Sequence, residues 1–256
     1  MTQDFLELPG GRRIAFRARA GAGPTVVFLG GFRSDMTGTK AGFLDAWAAA
    51  AGRGFLRFDY TGHGASSGRF EHGAIGDWVR DAEETILRLT QGPLVLVGSS
   101  MGGWIALRLA ARLGERITGL VGIAAAPDFT EDSMWGAMDE GTRARLLRGG
   151  LVEVPSDYEA PYPITRRLIE EGRENLVLRA PLRLGFPVRL LHGTADTDVE
   201  PEVALRLIAH AEGPDIRLTL VKGADHRFSA PETLALLAAT LDEVIAAAGS
   251  SGKRSD

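Results

Sequence analysis

The chain has 256 residues, with 33 acidic against 29 basic side chains for a formal charge of −4, and contains no cysteine. That length accommodates one large domain or one domain with an insertion, and the mild acidity argues against a general nucleic-acid binder, which presents a basic face. Without cysteine, disulfides, thiolate nucleophiles and zinc–thiolate sites are all excluded.

The opening "MTQDFLELPGG" lacks the basic-then-apolar profile of a signal peptide, so a cytoplasmic protein is the expectation. "FLELPGGRRIAFRAR" then alternates apolar and polar residues around a Pro-Gly-Gly turn, the pattern of a half-exposed hairpin. From "TVVFLGG" (25–31) onward the pattern changes to short apolar runs rich in β-branched residues, each followed by a segment with apolar spacing of three and four. The runs continue at "GFLRFDY" (54–60), "PLVLVGS" (93–99), "ITGLVGIAAA" (117–126), "PVRLLHG" (187–193) and "IRLTLVKG" (216–223). Helical spacing marks 41–52, 75–90, 104–114, 201–211 and 231–248. Runs of this kind suit strands buried on both faces, and the alternation predicts an α/β fold with a mostly parallel central sheet flanked by helices. Nowhere does an apolar run approach the length of a membrane-crossing helix.

Residues 127–186 break the alternation, and about 60 residues is too long for a structureless loop. They read as a small helical lid insertion between core segments 1–126 and 187–248, with 249–256, "GSSGKRSD", as a flexible tail.

Two stretches satisfy Gly-x-Ser-x-Gly: "GASSG" at 64–68 and "GSSMG" at 98–102. A nucleophile elbow requires the serine on a sharp turn straight after a strand and straight before a helix. "PLVLVGSSMGGWIALRLAARLG" supplies that context, whereas 64–68 lies inside a glycine-rich loop. Ser100 is therefore the candidate nucleophile, and Ser99 a structural residue on the strand side.

A serine hydroxyl needs a base, and in this arrangement the order along the chain is Ser, acid, His. Of the five histidines, His192, His210 and His226 follow Ser100. His192 ends a buried strand and His210 sits near a helix C-terminus, whereas His226 stands in the loop after the last strand, where an imidazole can reach the serine. For the acid, Asp196 in "LLHGTADTDVEP" is the first choice. Asp198 is a close alternative that could instead cap the helix starting near Pro201, and Asp128 after "GIAAAP" occupies another strand end from which an acid can come. The oxyanion donors expected are the N–H of Met101 and the N–H of Phe32, with Gly31 permitting the turn. Met134, Trp135 and Met138 fall on one side of an expected helix and are candidates for an acyl pocket, with Tyr158 and Tyr162 at its edge.

Taken together, these residues resemble the α/β-hydrolase superfamily over residues 3–248. "GGFRSDMTGTKAGFLDAWAAAAGRGFLRFDYTGHGASSG", "VGSSMGGWIALRLA", "RLLHGTADTDVEP" and "DHR" look like the family of abhydrolase-domain palmitoyl-protein thioesterases, also described as acyl-glucuronide esterases. The resemblance implies Ser100, Asp196 and His226 as nucleophile, acid and base of an esterase or thioesterase that needs no cofactor and takes a small acyl ester or thioester. It also implies that "DYTGHGASSG" borders the site, with His63 in a loop-stabilising role or in contact with substrate. The rivals are a peptidase, acyltransferase or perhydrolase using the same residues, and a non-catalytic receptor on a hydrolase scaffold.

Overall fold

Alternation in the first twenty residues produces β1 (Asp4–Leu8) and β2 (Arg12–Arg19), an antiparallel hairpin with Leu6 opposite Ile14. In the computed structural model, which describes residues 3–154 and 162–251, the apolar runs that follow become β3 (Ala22–Leu29), β4 (Arg53–Phe58), β5 (Leu94–Ser99) and β6 (Ile117–Ile123). Between them lie α1 (Thr39–Ala50), α2 (Ile75–Leu89) and α3 (Met101–Leu113). The helix after β5 thus begins three residues before the expected 104, because Gly102 and Gly103 lie within its first turn.

Residues 127–186 form a π-helical turn (Thr130–Trp135), α4 (Glu140–Gly149), β7 (Leu151–Val154), β8 (Tyr162–Thr165), α5 (Arg166–Arg173) and β9 (Leu182–Arg183). The chain then returns to the core through β10 (Val188–Gly193), α6 (Pro201–His210), β11 (Ala211–Glu212), β12 (Ile216–Val221) and α7 (Pro231–Ser251). Helix α7 therefore runs through 249–251, which were expected to fray, and 252–256 lie outside the described residues.

The insertion is not purely helical. β7 and β8 pair antiparallel, with Leu151 opposite Thr165. The sequence hid this pair because β7 is four residues long and buries Val152 while leaving Leu151 and Glu153 exposed, so no apolar run marks it. Among the bonds that fasten residues 127–186 to the rest of the chain, two reach α2 and α3. Glu171 on α5 accepts the Gly76 N–H at 2.9 Å in the first turn of α2, and Trp104 Nε1 on α3 donates to the Asn175 carbonyl at 3.0 Å.

The main sheet has strand order β1-β2-β4-β3-β5-β6-β10-β12. Everything from β4 to β12 pairs in parallel, with the hairpin attached antiparallel through β2. Because side chains alternate along a strand, the two faces bury different sets. Val27, Leu29, Leu94 and Leu96 join Trp78 and Trp104 under α2 and α3, and Val26, Phe28, Val95 and Val97 join Leu44 and Leu241 under α1 and α7. The chain moves from β3 outward to β4 on one side, then returns to β5 on the other side of β3. That reversal opens a crevice beyond the carboxyl ends of β3 and β5, where ligands bind in sheets of this kind. Among the described residues no helix is long and apolar enough to cross a membrane.

Candidate active site

Ser100 is the single residue between β5 and α3, and it takes φ 55° and ψ −119°. A non-glycine residue in that region costs about 1–3 kcal/mol and persists only where its surroundings over-determine it. Here they do. Ser100 N–H donates to Ile123 O at 2.9 Å, and its carbonyl accepts the N–H groups of Gly103 at 2.9 Å and Ala126 at 3.1 Å. A Cβ on Gly98 would lie 2.3 Å from Gly102 O, one on Gly102 2.0 Å from Leu29 O, and one on Gly103 2.5 Å from the Ala125 Cβ. The glycines let α3 start against β3 and β6, and this close approach forces the turn at Ser100.

The loop after β3 reaches the same point. A Cβ on Gly31 would sit 3.4 Å from the Ser100 Cβ and 3.5 Å from Ser99 O. The Gly31 carbonyl accepts from Ser34 Oγ at 2.9 Å and Ser34 N–H at 3.2 Å, which closes a tight turn. The Phe32 ring meets Phe70, Trp78, Phe129 and Tyr162 edge-on, with centroids 4.9 to 6.0 Å away. Held by those rings, the Phe32 backbone has little freedom. Among the described residues neither the Phe32 nor the Met101 N–H makes a turn or loop hydrogen bond to backbone, and Met101 is the first residue of α3, where an N–H has no intrahelical partner.

His226 lies in the loop between β12 and α7, and its Nδ1 is 2.9 Å from Asp196 Oδ2 and 3.1 Å from Oδ1. Asp196, in the loop after β10, is buried, and its Oδ1 also accepts the N–H groups of Asp198 at 3.0 Å and Val199 at 2.8 Å. Three donors on one carboxylate fix its plane. With Nδ1 engaged, the ring offers Nε2 to the cleft.

The alternatives are placed elsewhere. Asp198 is exposed at the cleft edge, and the residue capping α6 is Glu200. Asp128 is fully buried, with its oxygens accepting Val177 N–H at 2.8 Å and Leu178 N–H at 3.0 Å. It pins the end of the insertion to β6, and burial raises its pKa against the lowering effect of those two bonds. His192 directs Nε2 to the Val199 carbonyl at 2.8 Å, and His210 directs Nε2 to Ala180 O at 2.8 Å.

The loop at 59–68 is a clasp. Asp59 accepts Met36 N–H at 2.6 Å and Ala65 N–H at 2.9 Å, so one buried carboxylate joins the loops after β3 and β4. Ser66 Oγ accepts Ala15 N–H at 2.9 Å, and Ser67 Oγ accepts Arg13 N–H at 2.8 Å. His63 is buried among Tyr60, Phe70 and Trp78, and its Nε2 accepts the Arg33 N–H at 3.3 Å just past the Phe32 turn. Burial pushes its pKa down to about 4, which keeps the ring neutral and able to accept that bond.

Ser100, His226, Gly31 and Phe32 line one cleft of about 970 Å³. Phe129, Met134 and Tyr162 form its apolar side, and Arg33, Lys40 and Asp198 its polar mouth. Of the three expected pocket residues, Met134 is at the cleft. Trp135 instead lies between the guanidinium groups of Arg143 and Arg173, 5.0 and 4.8 Å from its ring, and Met138 is buried in the core. Tyr158 lies outside the described residues. Phe129 and Lys40 escaped the sequence reading. Phe129 lies outside every motif, and Lys40, although inside the stretch 30–68 that carries the resemblance, has no role assigned by it; both reach the cleft only through the fold.

The family model described as serine aminopeptidase S33 matches residues 22–155. The palmitoyl-protein thioesterase ABHD10 of Homo sapiens is 32% identical over 94% of this chain and 79% of its own length. A putative hydrolase from Agrobacterium vitis S4 superposes with a TM-score of 0.91 at 41% identity, covering 95% of this chain and 98% of that one. The mouse α/β hydrolase domain-containing protein 10 does so with 0.89 at 31% identity, covering 96% and 98%. The chain belongs to the ABHD10 family of α/β hydrolases. It is a hydrolase of the esterase or thioesterase type. The expected cytoplasmic location is overturned by its relatives, since the ABHD10 thioesterases of Bos taurus, Rattus norvegicus, Pongo abelii, Homo sapiens and Mus musculus are all named as mitochondrial. A start without a signal-like profile carries little information about location.

Proposed function

We propose that this protein cleaves acyl thioesters or carboxylic esters through Ser100, His226 and Asp196 by way of an acyl-enzyme. The observation that carries the reading is the His226 Nδ1 to Asp196 Oδ2 bond of 2.9 Å, made by a ring that shares a cleft with the strained Ser100. Ser100 Oγ attacks the carbonyl carbon while His226 Nε2 takes its proton. The carbonyl oxygen becomes an oxyanion held by the N–H groups of Phe32 and Met101, a pair of donors worth a few kcal/mol each in such sites. As the intermediate collapses, His226 returns the proton to the departing thiol or alcohol. Water, deprotonated by the same ring, then attacks the acyl-enzyme and releases the acid. Asp196 holds the ring in the Nδ1–H tautomer and offsets the charge of the imidazolium.

Residues 127–186 act in this reading as a cap, with Phe129, Met134 and Tyr162 as the wall against which the acyl chain lies. The naming of ABHD10 relatives as palmitoyl-protein thioesterases supports a fatty acyl thioester as substrate.

Treatment with a fluorophosphonate, followed by peptide mapping, tests the nucleophile. The adduct is expected on the peptide holding Ser100, and an adduct on 64–68, or none at all, refutes the assignment. Asp196→Asn should lower kcat by about 10⁴-fold, and Asp198→Asn by less than about fivefold. A larger loss in Asp198→Asn would move the acid there. A series of acyl thioesters of increasing chain length then reads the cap, with kcat/KM rising along the series if its wall holds the chain. A flat profile beside a labelled serine removes the acyl-binding role from residues 127–186.

A further inference from the structure

Lys40 is the second residue of α1, on the segment that follows the Phe32 turn. Its Nζ donates to the carbonyl of Arg227, the residue directly after His226 and 187 positions away along the chain. The loop bearing His226 is also held by the loop after β10, where Ala195 N–H donates to the Ala224 carbonyl at 3.0 Å and Asp196 takes the ring, and by bonds within itself. Phe228, with φ 48°, is fully buried in the core, and its N–H donates to Asp225 Oδ1 at 3.0 Å. Lys40 supplies a bond from across the cleft, and it lines that cleft together with Ser100 and His226.

We propose that Lys40 is a positioning residue for the base, its ammonium clamping the Arg227 carbonyl so that the loop holds His226 over Ser100. The inference rests on His226 being the base. A shift of about 1 Å in a reacting group costs on the order of a hundredfold in rate, so a bond one residue from the ring bears directly on turnover.

The charge on that nitrogen makes the clamp sensitive to pH. Burial lowers the Lys40 pKa to about 8, Asp225 and Asp196 oppose the shift, and Arg227 adds to it. Arg33, Asp35, Asp198 and His226 face the same cleft. The elements packed on α1 contribute Arg57 from β4, taken up by Asp45 at 2.8 Å, and Asp242 from α7, paired with Arg53 at 3.5 Å. Above pH 8 the clamp is a neutral amine, and a charge-assisted hydrogen bond is roughly twice as strong as a neutral one.

The test is kcat and KM for p-nitrophenyl butyrate from pH 6 to 10 in wild type, Lys40→Met and Lys40→Arg. Wild type is expected to show an alkaline fall in kcat with its midpoint near 8. Lys40→Met should lose about tenfold in kcat at pH 7 with KM little changed, and the alkaline fall should vanish. Lys40→Arg, which stays charged, should retain kcat within about threefold and carry the fall upward beyond pH 10. An unchanged profile in Lys40→Met overturns the proposal, and so does a loss confined to KM, which would make Lys40 a substrate contact. Should Lys40→Met fail to fold, Lys40→Arg decides, since a fall that stays near 8 overturns the proposal equally. If wild type neither labels with fluorophosphonate nor turns over, the assignment of His226 falls first. Labelling and turnover with unmoved profiles isolate the failure to Lys40.

Discussion

At 98–102 the serine itself carries the positive φ, 55° at Ser100, and it lines the cleft. At 64–68 the glycines carry it, 46° at Gly64 and 92° at Gly68, while both serine hydroxyls are bonded to the backbone of β2. The same Gly-x-Ser-x-Gly spacing therefore yields a presented hydroxyl in one place and a strand clasp in the other. What separates them is which residue the flanking elements force into the left-handed region. A strand and a helix butted together on three crowded glycines leave only the serine to make the turn. In the loop at 64–68 the left-handed angles fall on glycines, which take them at little cost, and those positions are crowded too: a Cβ on Gly64 would lie 2.1 Å from Asp59 Oδ2 and one on Gly68 2.6 Å from Thr61 Cγ2.

The sharpest way to break this contrast is to remove the hydroxyls. Ser100→Ala should reduce turnover by about 10⁴-fold or more, while the double variant Ser66→Ala, Ser67→Ala keeps full fluorophosphonate labelling per folded molecule. Labelling lost from the double variant at unchanged stability would give the clasp a chemical role.

Next in size is the crowding that shapes the elbow. In Gly102→Ala the new Cβ meets the Leu29 carbonyl at 2.0 Å, a backbone atom that cannot swing aside. A loss of about 3 kcal/mol, or failure to fold, is expected. Gly42→Ala is the control of opposite sign. It lies in α1 with nothing within 4 Å of the added Cβ and no positive φ, so it should stabilise the protein by about 0.5–1 kcal/mol. Urea unfolding of both variants reads the comparison, and a tolerated Gly102→Ala would mean that close packing does not define the turn.

Much of this arrangement was legible in the sequence because its signals are local. Buried parallel strands announce themselves as apolar runs, and the segments holding Ser100, Asp196 and His226 each follow such a run, which brings them to one edge of the sheet. Other features depend on contacts between distant parts of the chain. Lys40 meets Arg227 across 187 residues, and Asp59 joins two loops through backbone N–H groups that any sequence would supply. The β7–β8 pair was missed for a different reason, since a four-residue strand exposed on one face leaves too little pattern. Met134, Trp135 and Met138 fell apart as a group because a π-helical turn does not keep the 3.6-residue spacing used to place them on one side.

His63 separates the loop's structural role from the chemistry by pH. Its pKa is about 4 in the fold against an ordinary value of 6.5, so between those values the unfolded chain binds the extra proton. The neutral ring therefore contributes stability that is fully present above 6.5 and is lost as the pH falls through about 4. The loss is up to about 3 kcal/mol. His63→Gln removes the titration, so the difference in urea stability between the two proteins should shrink or reverse as the pH is lowered from 7 to 4.5. A difference that does not change with pH would mean that the ring is not buried in its neutral form.

The smallest effects lie in the clasp itself. Ser66→Ala removes the acceptor for Ala15 N–H, which is fully buried, together with the hydroxyl's own 2.6 Å bond to Asp59 O. An unpartnered buried donor makes this the costlier of the two serines, about 1–2 kcal/mol. Ser67→Ala frees the Arg13 N–H in an exposed setting where water replaces the lost oxygen, for about 0.5 kcal/mol. Neither should change kcat/KM by more than about twofold, because the Phe32 turn is held through His63 and Asp59 rather than through these hydroxyls. Equal costs for the two would show that burial at Ala15 does not govern the clasp. A loss of kcat in Ser66→Ala at unaltered stability would mean that the pairing of this loop with β2 reaches the elbow after all.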